Sequence, residues 1–373
     1  MDRVVDYKKC TGCTACMNIC VKNAITMEEN SEGFYYPKID DKKCINCGLC
    51  KKTCPVLNSK DNNIKKCYAA YNDNITSLLN KSSSGGLFEL FAKYILSING
   101  IVIGAELKNN KLEHTIIDNI NDLEKIKGAK YFQSNLKYIF KYIKENINTK
   151  KILFVGTPCQ VAGLKSIINN DNLYCIDLVC HGVPSKQLFN KYINYIEKKY
   201  NDKLIDYNFR DKKSGWLNYS NTAIFLNKKV TKKYTKNSYS KLFLSNKALR
   251  ESCYNCKFKI YNSYSDITLG DFWGIKKVLP EMSNKNGVSC VVINTEKGSK
   301  LFNKIIKNIR YKECSIKDII KYNSSIVNSP VRTSDRDNFY NDLKIYPFNR
   351  IIKKYTKSLF SKIVFNIKNR INK

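Results

Sequence analysis

Histidine is almost absent: a chain of 373 residues holds two, His114 and His181. Chemistry that needs an imidazole base has only two places to find one, so a nucleophile activated by histidine has little choice of partner. Acidic side chains are also few, 32 Asp and Glu against 65 Lys and Arg, for a formal charge of +33. Such a balance invites a nucleic-acid reading. The basic residues are spread through a Lys-, Asn-, Ile- and Tyr-rich chain, however, and form no stripe interleaved with aromatics. No nucleic-acid partner is expected, and a zinc-dependent nucleic-acid binder is the weakest functional reading. Long apolar runs are missing too. The most apolar long window, 87–107, is broken by Glu89, Lys93 and Asn99, so no transmembrane helix is expected. The opening MDRVVDYKK is charged where a secretory segment would be apolar, which points to a cytoplasmic location.

What the chain has in quantity is cysteine, sixteen residues. Without an export signal, so many thiols indicate metal binding or catalysis rather than disulfides. Eight fall in residues 1–57. CTGCTACMNIC places Cys10, Cys13, Cys16 and Cys20 in a C-x2-C-x2-C-x3-C run, and CINCGLCKKTCP repeats it with Cys44, Cys47, Cys50 and Cys54. Three thiolates from one tight loop wrap a cubane corner, and the fourth ligates the other cluster. The expected pairing is one 4Fe–4S cluster on Cys10, Cys13, Cys16 and Cys54 and a second on Cys44, Cys47, Cys50 and Cys20. Zinc fits this spacing poorly, since it favours two separated thiol pairs. Val21 follows Cys20 where such runs carry proline; Pro55 keeps the rule in the second copy.

Residues 58–66, NSKDNNIKK, read as a polar linker. From Cys67 onward strand-like and helix-like segments alternate: CYAAYN, SSSGGLFELFAKYILSING, IVIGAEL, NLKYIFKYIKENI, KILFVG, PCQVAGLKSII and LYCIDLVC. The alternation predicts an α/β core with a mixed or largely parallel sheet behind a ferredoxin-like module. In ILFVGTPCQVAGL, Thr157, Pro158 and Gln160 spell a capping box, so Cys159 sits in the first turn of a helix. Cys180 closes the next strand. A β-α-β unit brings both thiols to the carboxyl edge of one sheet, where open α/β sheets bind ligands. Cys253 and Cys256 in RESCYNCKFK add a C-x2-C pair, making four ligands for a third 4Fe–4S cluster or a structural zinc. A reactive Cys159, its pKa lowered by the helix N-terminus, is the competing reading, and simple packing a third. Cys67, Cys175, Cys290 and Cys314 have no partner at ligand spacing and read as small buried hydrophobes.

SSSGG (82–86), GAKYFQS (128–134), GTPCQVAGL (156–164), CHGVPS (180–185), FRDKKSGW (209–216), CYNCKFK (253–259), SDITLGDFWG (265–274) and GVSCVVINTEKG (287–298) follow in one order. That ordered set resembles the beta-subunit family of coenzyme F420 hydrogenases and dehydrogenases, over roughly residues 1–300. The resemblance implies a dicluster ferredoxin-like domain at 1–57 and a linker at 58–66. A family N-terminal domain follows at 67–148 and a family C-terminal domain at 149–345. It implies an iron–sulfur flavoprotein binding FAD, the flavin standing between one-electron clusters and a two-electron small-molecule substrate or deazaflavin-type carrier. Many such stand-alone proteins accompany polysaccharide biosynthesis enzymes, pyruvyl transferases among them. For the flavin, Ser83, Ser84, Gly85 and Gly86 are candidate phosphate binders at a helix start, against a plain helix cap. Lys130, Tyr131, Gln133 and Ser134 suit a diphosphate and a ring, against a solvated turn. Arg210 and Lys212, with Trp216, could meet an anion, or be a surface pair with a core Trp. His181 is the candidate proton donor near the third thiol set, against a structural histidine; Asp271 and Trp273 could shape the same crevice. A redox partner protein or small electron carrier is implied, and a non-catalytic electron-transfer subunit feeding a partner enzyme is the alternative function.

The last residues are basic: 350–373 carry eight Lys or Arg, no acid, and apolar residues at helical spacing. A basic amphipathic tail, 346–373, could make peripheral contact with the inner face of a membrane, or pack on the body of the protein.

Overall fold

The computed structural model describes residues 4–59, 61–74 and 81–356. In the N-terminal module each cysteine loop feeds a short helix, α1 (Ala15–Ile19) and α2 (Leu49–Lys52), and the hairpin β1 (Ile25–Glu29) and β2 (Tyr35–Ile39) joins the copies. Left-handed backbone at matching places winds both loops tightly: Gly12 and Thr14 in the first, Asn46 and Gly48 in the second. The described part of 58–66 does not hang free at Asn62. The Asn62 side chain donates to the Ile260 carbonyl (3.1 Å) and to Asn294 Oδ1 (3.0 Å), pinning this stretch to the core.

The predicted alternation is present. It runs β3 (Lys66–Asn72), α3 (Leu87–Ser97), β4 (Ile101–Lys108), β5 (Lys111–Ile117), α4 (Ile139–Asn146), β6 (Ile152–Gly156), α5 (Pro158–Lys165), β7 (Leu173–Leu178) and α6 (Lys186–Tyr200). A separate antiparallel sheet follows, β8 (Leu204–Asp211), β9 (Ser220–Phe225) and β10 (Lys229–Lys233). The chain then adds α7 (Ser238–Leu244), β11 (Ile267–Asp271), β12 (Ser289–Ile293), α8 (Glu296–Asn303), β13 (Ile309–Cys314), α9 (Arg336–Ile345) and α10 (Phe348–Thr356).

The main sheet has eight strands in the order β13-β3-β12-β11-β7-β6-β4-β5. Its middle, β11-β7-β6-β4, is parallel; β5, β12, β3 and β13 pair antiparallel, so the sheet is mixed. Strands from 67–148 and from 149–345 interleave in it, β3 lying between β12 and β13. The parallel strands are buried on both faces, as their unbroken apolar runs require. On one face α3 and α8 lay Phe91, Ile95, Leu301 and Phe302 over Val102, Leu153, Ile176 and Val291. On the other, Phe140 and Ile143 of α4 and Val161 and Leu164 of α5 cover Ile103, Ile152 and Phe154. Met17, Ile25 and Val56 of the ferredoxin module join that second layer. Each such fully buried side chain contributes about 1.5–3 kcal/mol, so the module is part of the core.

α10 begins the basic tail, but its Phe348, Ile351 and Tyr355 are buried against the α6 and α9 layer. The remainder of the expected amphipathic tail, 357–373, lies outside the described residues. Among the described residues no helix is long and apolar enough to cross a membrane.

Candidate redox site

None of the sixteen cysteines is in a disulfide. In the ferredoxin module the first set gathers inside. Burial pushes the Cys13 thiol up to about 12, with Cys10 and Cys54 close enough to add to the rise. Cys16 is raised by burial and by Cys13, Cys10 and Cys54. Cys10, Cys13, Cys16 and Cys54 line one small cavity, with Val5, Thr11 and Val56 beside them. In the second set, Cys50 is raised by burial, with Cys44 and Cys47 beside it. Cys20, at the end of α1, accepts a hydrogen bond from the Ala24 N–H at 3.3 Å. Both helices pack together.

The third quartet also converges. β6, α5 and β7 form the expected unit with parallel strands. The capping box of α5 is present: Gln160 Oε1 accepts from the Thr157 N–H at 3.0 Å, and the Thr157 hydroxyl lies 3.3 Å from Cys159 Sγ. Cys180 falls two residues beyond β7 rather than inside it. Cys253 lies in a 3-10 turn, Glu251–Asn255, and Cys256 caps its end. Burial raises the Cys159 thiol well above its usual value, and Cys256, Cys180 and Cys253 add to the rise. Burial takes Cys180 to about 11, opposed by the Lys259 ammonium, and Cys253 to about 12, with Cys180 and Cys256 adding. Burial first, and the neighbouring thiols after it, raise Cys159, the reverse of what a nucleophile needs; four partly buried thiols near one another suit a metal centre. Among the described residues no three or more His, Cys, Asp or Glu are grouped for a single metal ion.

The first quartet touches the helix that carries Cys159. A Cβ added to Gly163 would lie 2.9 Å from both Cβ and Sγ of Cys13. Gly163 is four residues on from Cys159, hence on the same face of α5. The signal was in the sequence, a small residue one turn after the thiol in PCQVAGL. Other ties join the module to the core: Arg250 Nε donates to the Cys10 carbonyl (2.8 Å), Lys257 Nζ to the Val56 carbonyl (3.1 Å), and Arg336 grips Glu32 through both carboxylate oxygens at 2.9 and 2.7 Å.

At the same sheet edge lies a second cluster of predicted residues. Arg210 is buried, paired with Asp271, and stacked over the rings of Tyr219 (4.6 Å) and Trp273 (5.3 Å). Trp216 Nε1 donates to the other Asp271 oxygen at 2.8 Å, and Trp216 stacks on Trp273 at 5.0 Å. Burial works against the Arg210 charge, but Asp271 together with Tyr131 and Tyr219 outweighs it and keeps the guanidinium protonated. Its Nε and Nη2 have no hydrogen-bond partner among the described residues. That free edge is a two-pronged donor suited to a carboxylate or phosphate. Lys212 is buried beside it; burial, then Arg210, lowers it to about 7, and it donates to the carbonyls of Ser84 (2.9 Å) and Asn286 (2.6 Å).

The remaining candidates divide. Ser83 Oγ accepts from the Ala129 N–H at 2.7 Å, Ser84 Oγ donates to the Val288 carbonyl at 3.2 Å, and the Gly85 N–H donates to Ser289 Oγ at 2.9 Å. Gly85 has a packing reason to be glycine, since a Cβ would lie 2.5 Å from the Ala70 carbonyl. Gly86 starts α3 with a positive φ. This loop is therefore stitched into the wall of the crevice. Lys130 donates to the Lys127 carbonyl, and burial, with Lys81 nearby, lowers it to about 7. Tyr131 lies beside Arg210, which opposes the rise that burial gives its phenol. Gln133 faces away, toward the ferredoxin module, accepting from Arg250 Nη1 at 3.1 Å. Ser134 accepts from Gln160 Nε2 at 2.9 Å and so braces the α5 cap. His181 Nε2 meets Asn246 Oδ1 at 2.7 Å, and burial lowers its pKa. Its ring stands edge-on to Phe243 (5.3 Å), which stacks on Tyr131 (5.0 Å), so a chain of rings runs from the residue after Cys180 to the side of Arg210.

Sequence reasoning missed Arg250, Lys259 and Phe243, whose roles depend on contacts far along the chain. It also treated Cys67, Cys290 and Cys314 as isolated. Cys67 is buried directly opposite Cys314 on the neighbouring strand, and both lie close enough to Cys290 to raise it. Cys175 is buried inside β7 as expected.

Residues 149–319 match the family defined by the C terminus of the coenzyme F420 hydrogenase/dehydrogenase beta subunit, and residues 9–58 match the 4Fe–4S dicluster domain. A coenzyme F420-dependent sulfite reductase of Methanocaldococcus jannaschii is 29% identical over 175 residues, covering 45% of this chain and 26% of that protein. The chain thus spans about a quarter of that relative's length. An uncharacterized ferredoxin of the same organism is 36% identical over 52 residues, 14% of this chain and 66% of the ferredoxin. A chain of the F420-reducing NiFe hydrogenase complex from Methanosarcina barkeri aligns with a TM-score of 0.48 at 17% identity, covering 82% of this chain and 95% of that one.

Proposed function

Because the chain carries a 4Fe–4S dicluster domain ahead of the C-terminal domain of the coenzyme F420 hydrogenase/dehydrogenase beta-subunit family, we propose that it is an iron–sulfur flavoprotein oxidoreductase. Electrons pass between the ferredoxin module and the crevice at the carboxyl edge of the main sheet. The observation that carries this is the contact of Gly163 with Cys13, which sets the buried ferredoxin quartet against the helix that bears Cys159.

In this reading Cys10, Cys13, Cys16 and Cys54 hold one 4Fe–4S cluster, Cys44, Cys47, Cys50 and Cys20 a second, and Cys159, Cys180, Cys253 and Cys256 a third. FAD would supply the exchange between one-electron and two-electron chemistry. The free Nε–Nη2 edge of Arg210 fits an anionic group of that cofactor or of its substrate, and Trp273 and Tyr219 keep the guanidinium aimed. Lys212 and Ser84 fix the wall behind it. Asp271 holds Arg210 charged and orients Trp216. The stacked rings of Phe243 and Tyr131 link His181 to the side of Arg210. His181, neutral in its buried place, is the available proton carrier beside those rings. The substrate is a small molecule or a deazaflavin-type carrier, in keeping with the sulfite reductase likeness; a polysaccharide-assembly setting rests on the sequence resemblance alone.

The test is the metal and flavin content of anaerobically purified protein beside a Cys159→Ser variant. About 12 iron atoms and one FAD, falling to about 8 iron in the variant, is the expected result. About 8 iron in both proteins and no flavin would overturn the third centre and leave an electron-transfer protein.

A further inference from the structure

The second cysteine loop has a surface that the proposed electron path does not use inward. Cys47 is exposed, and Ile45 (57%), Leu57 (50%) and Val21 (71%) are large apolar side chains of the same module left in solvent. They sit on one local structure. Ile45 is in the loop that leads into α2, Val21 follows Cys20 at the end of α1, and α1 packs on α2. The Asn58 side chain donates to the carbonyls of Lys52 (2.9 Å) and Cys54 (3.2 Å), holding the Leu57 stretch against the end of α2. Around this apolar centre Lys22, Lys42, Lys43, Lys51 and Lys52 are all exposed, against Asp40 and Asp41, and Asp40 pairs with Lys43 at 3.4 Å. Apolar contact ringed by one sign of charge is the make-up of a transient docking face, where the charge steers encounter and the apolar centre holds it.

We propose that this face docks a small acidic one-electron carrier protein. The inference rests on the oxidoreductase reading above and adds the partner and its place. A cluster held by the second quartet would take one electron per encounter from the reduced carrier; the carrier would be oxidised by one electron, the cluster reduced by one, and no bond or proton would change hands. The lysines meet the carrier's carboxylates while Ile45 and Leu57 bring its redox centre up to exposed Cys47. The first quartet cannot serve this role, because its Cys10, Cys13 and Cys54 are buried against the core.

The experiment uses the anaerobically purified holoprotein and, as carrier, a purified acidic 2Fe–2S ferredoxin. Binding of the oxidised ferredoxin is measured by biolayer interferometry, and its oxidation from the reduced state by stopped flow across a salt series. The variants are Lys42→Glu/Lys51→Glu/Lys52→Glu, the single Ile45→Asp, and, as a remote charge control on α6, Lys198→Glu/Lys199→Glu. Affinity and second-order rate fall about tenfold or more in the triple variant, and its rate loses the decline with salt seen in the parent. Ile45→Asp weakens binding with the salt dependence kept, and the control behaves as the parent. Dithionite, which needs no docking face, reduces all of them alike. A triple variant that binds and reacts like the parent while still reduced by dithionite overturns the docking face alone. A parent protein with no centre that dithionite reduces overturns the oxidoreductase reading, and the docking face with it.

Discussion

Gly12 and Asn46 occupy the same place in the two cysteine loops, with φ of 69° and 53°, and Thr14 and Gly48 occupy the next, with 65° and 70°. The backbones are copies; the surroundings are not. A Cβ on Gly12 would lie 2.6 Å from Gln133 Nε2 and 2.9 Å from the Tyr35 carbonyl, whereas one on Gly48 would meet nothing within 4 Å among the described residues. Thr14 is buried, and the Asn18 side chain donates to its carbonyl at 3.0 Å, which offsets the strain of a left-handed threonine. One repeat has been absorbed into the core and the other left facing out. The same spacing thus sits in two settings: an inner loop that contacts α5, and an outer loop whose Cys47 is exposed.

The contrast breaks most readily at Arg250, which is wholly buried, bonded to the Cys10 carbonyl and to Gln133, with its guanidinium 4.0 Å from the centre of the Tyr36 ring. Arg250→Met should lower stability by about 3 kcal/mol or more, because charged hydrogen bonds and a buried acceptor are lost together. Lys52→Met on the outer repeat should change it by less than about 0.5 kcal/mol. Anaerobic urea unfolding reads both. Equal shifts would mean that the inner repeat is not held as described.

Gly12→Ala comes next. It adds a clash to left-handed strain and should cost about 2–4 kcal/mol, against about 1 kcal/mol for Asn46→Ala, which meets the strain without the clash. Then Gly163→Ala wedges α5 away from Cys13. Its stability cost of about 1–3 kcal/mol should come with slower electron arrival at the third quartet, seen as a lag in freeze-quench EPR after dithionite. An unchanged lag would separate the contact from the electron path.

How much of this could be read from the residues follows from what each feature depends on. The quartets in the ferredoxin module and the α5 cap were legible, because a ligand run and a capping box are local. That Cys159 and Cys180 share one sheet edge was legible one step further out, through the topology of β6-α5-β7, whereas Cys253 and Cys256 gave only the spacing of a thiol pair. β5 was missed although its signal was present. LKNNKLE is a two-residue hairpin with Asn109 and Asn110 both at positive φ, and asparagine tolerates that geometry. β12 and β13 were missed because an antiparallel extension of a parallel sheet leaves no alternation with helices to count. Gln133 and Ser134 shared a heptapeptide with Lys130 and Tyr131, yet the chain turns between them and sends one pair to the ferredoxin module and the α5 cap. No spacing rule reports such a divergence, nor the 117 residues that separate Gln133 from Arg250.

The smallest effect is the sharpest check on the outer repeat. Gly48→Ala adds a side chain into open space, so its cost is the left-handed backbone alone, about 1 kcal/mol. Gly48→Asn should cost less still, since asparagine adopts that conformation readily, as Asn46 does two residues earlier. Urea midpoints in the order parent, Gly48→Asn, Gly48→Ala, all well above Gly12→Ala, are the expected result. If Gly48→Ala instead matched Gly12→Ala, something in the folded protein would be packed against the outer loop. The face assigned to an electron carrier would then already be covered.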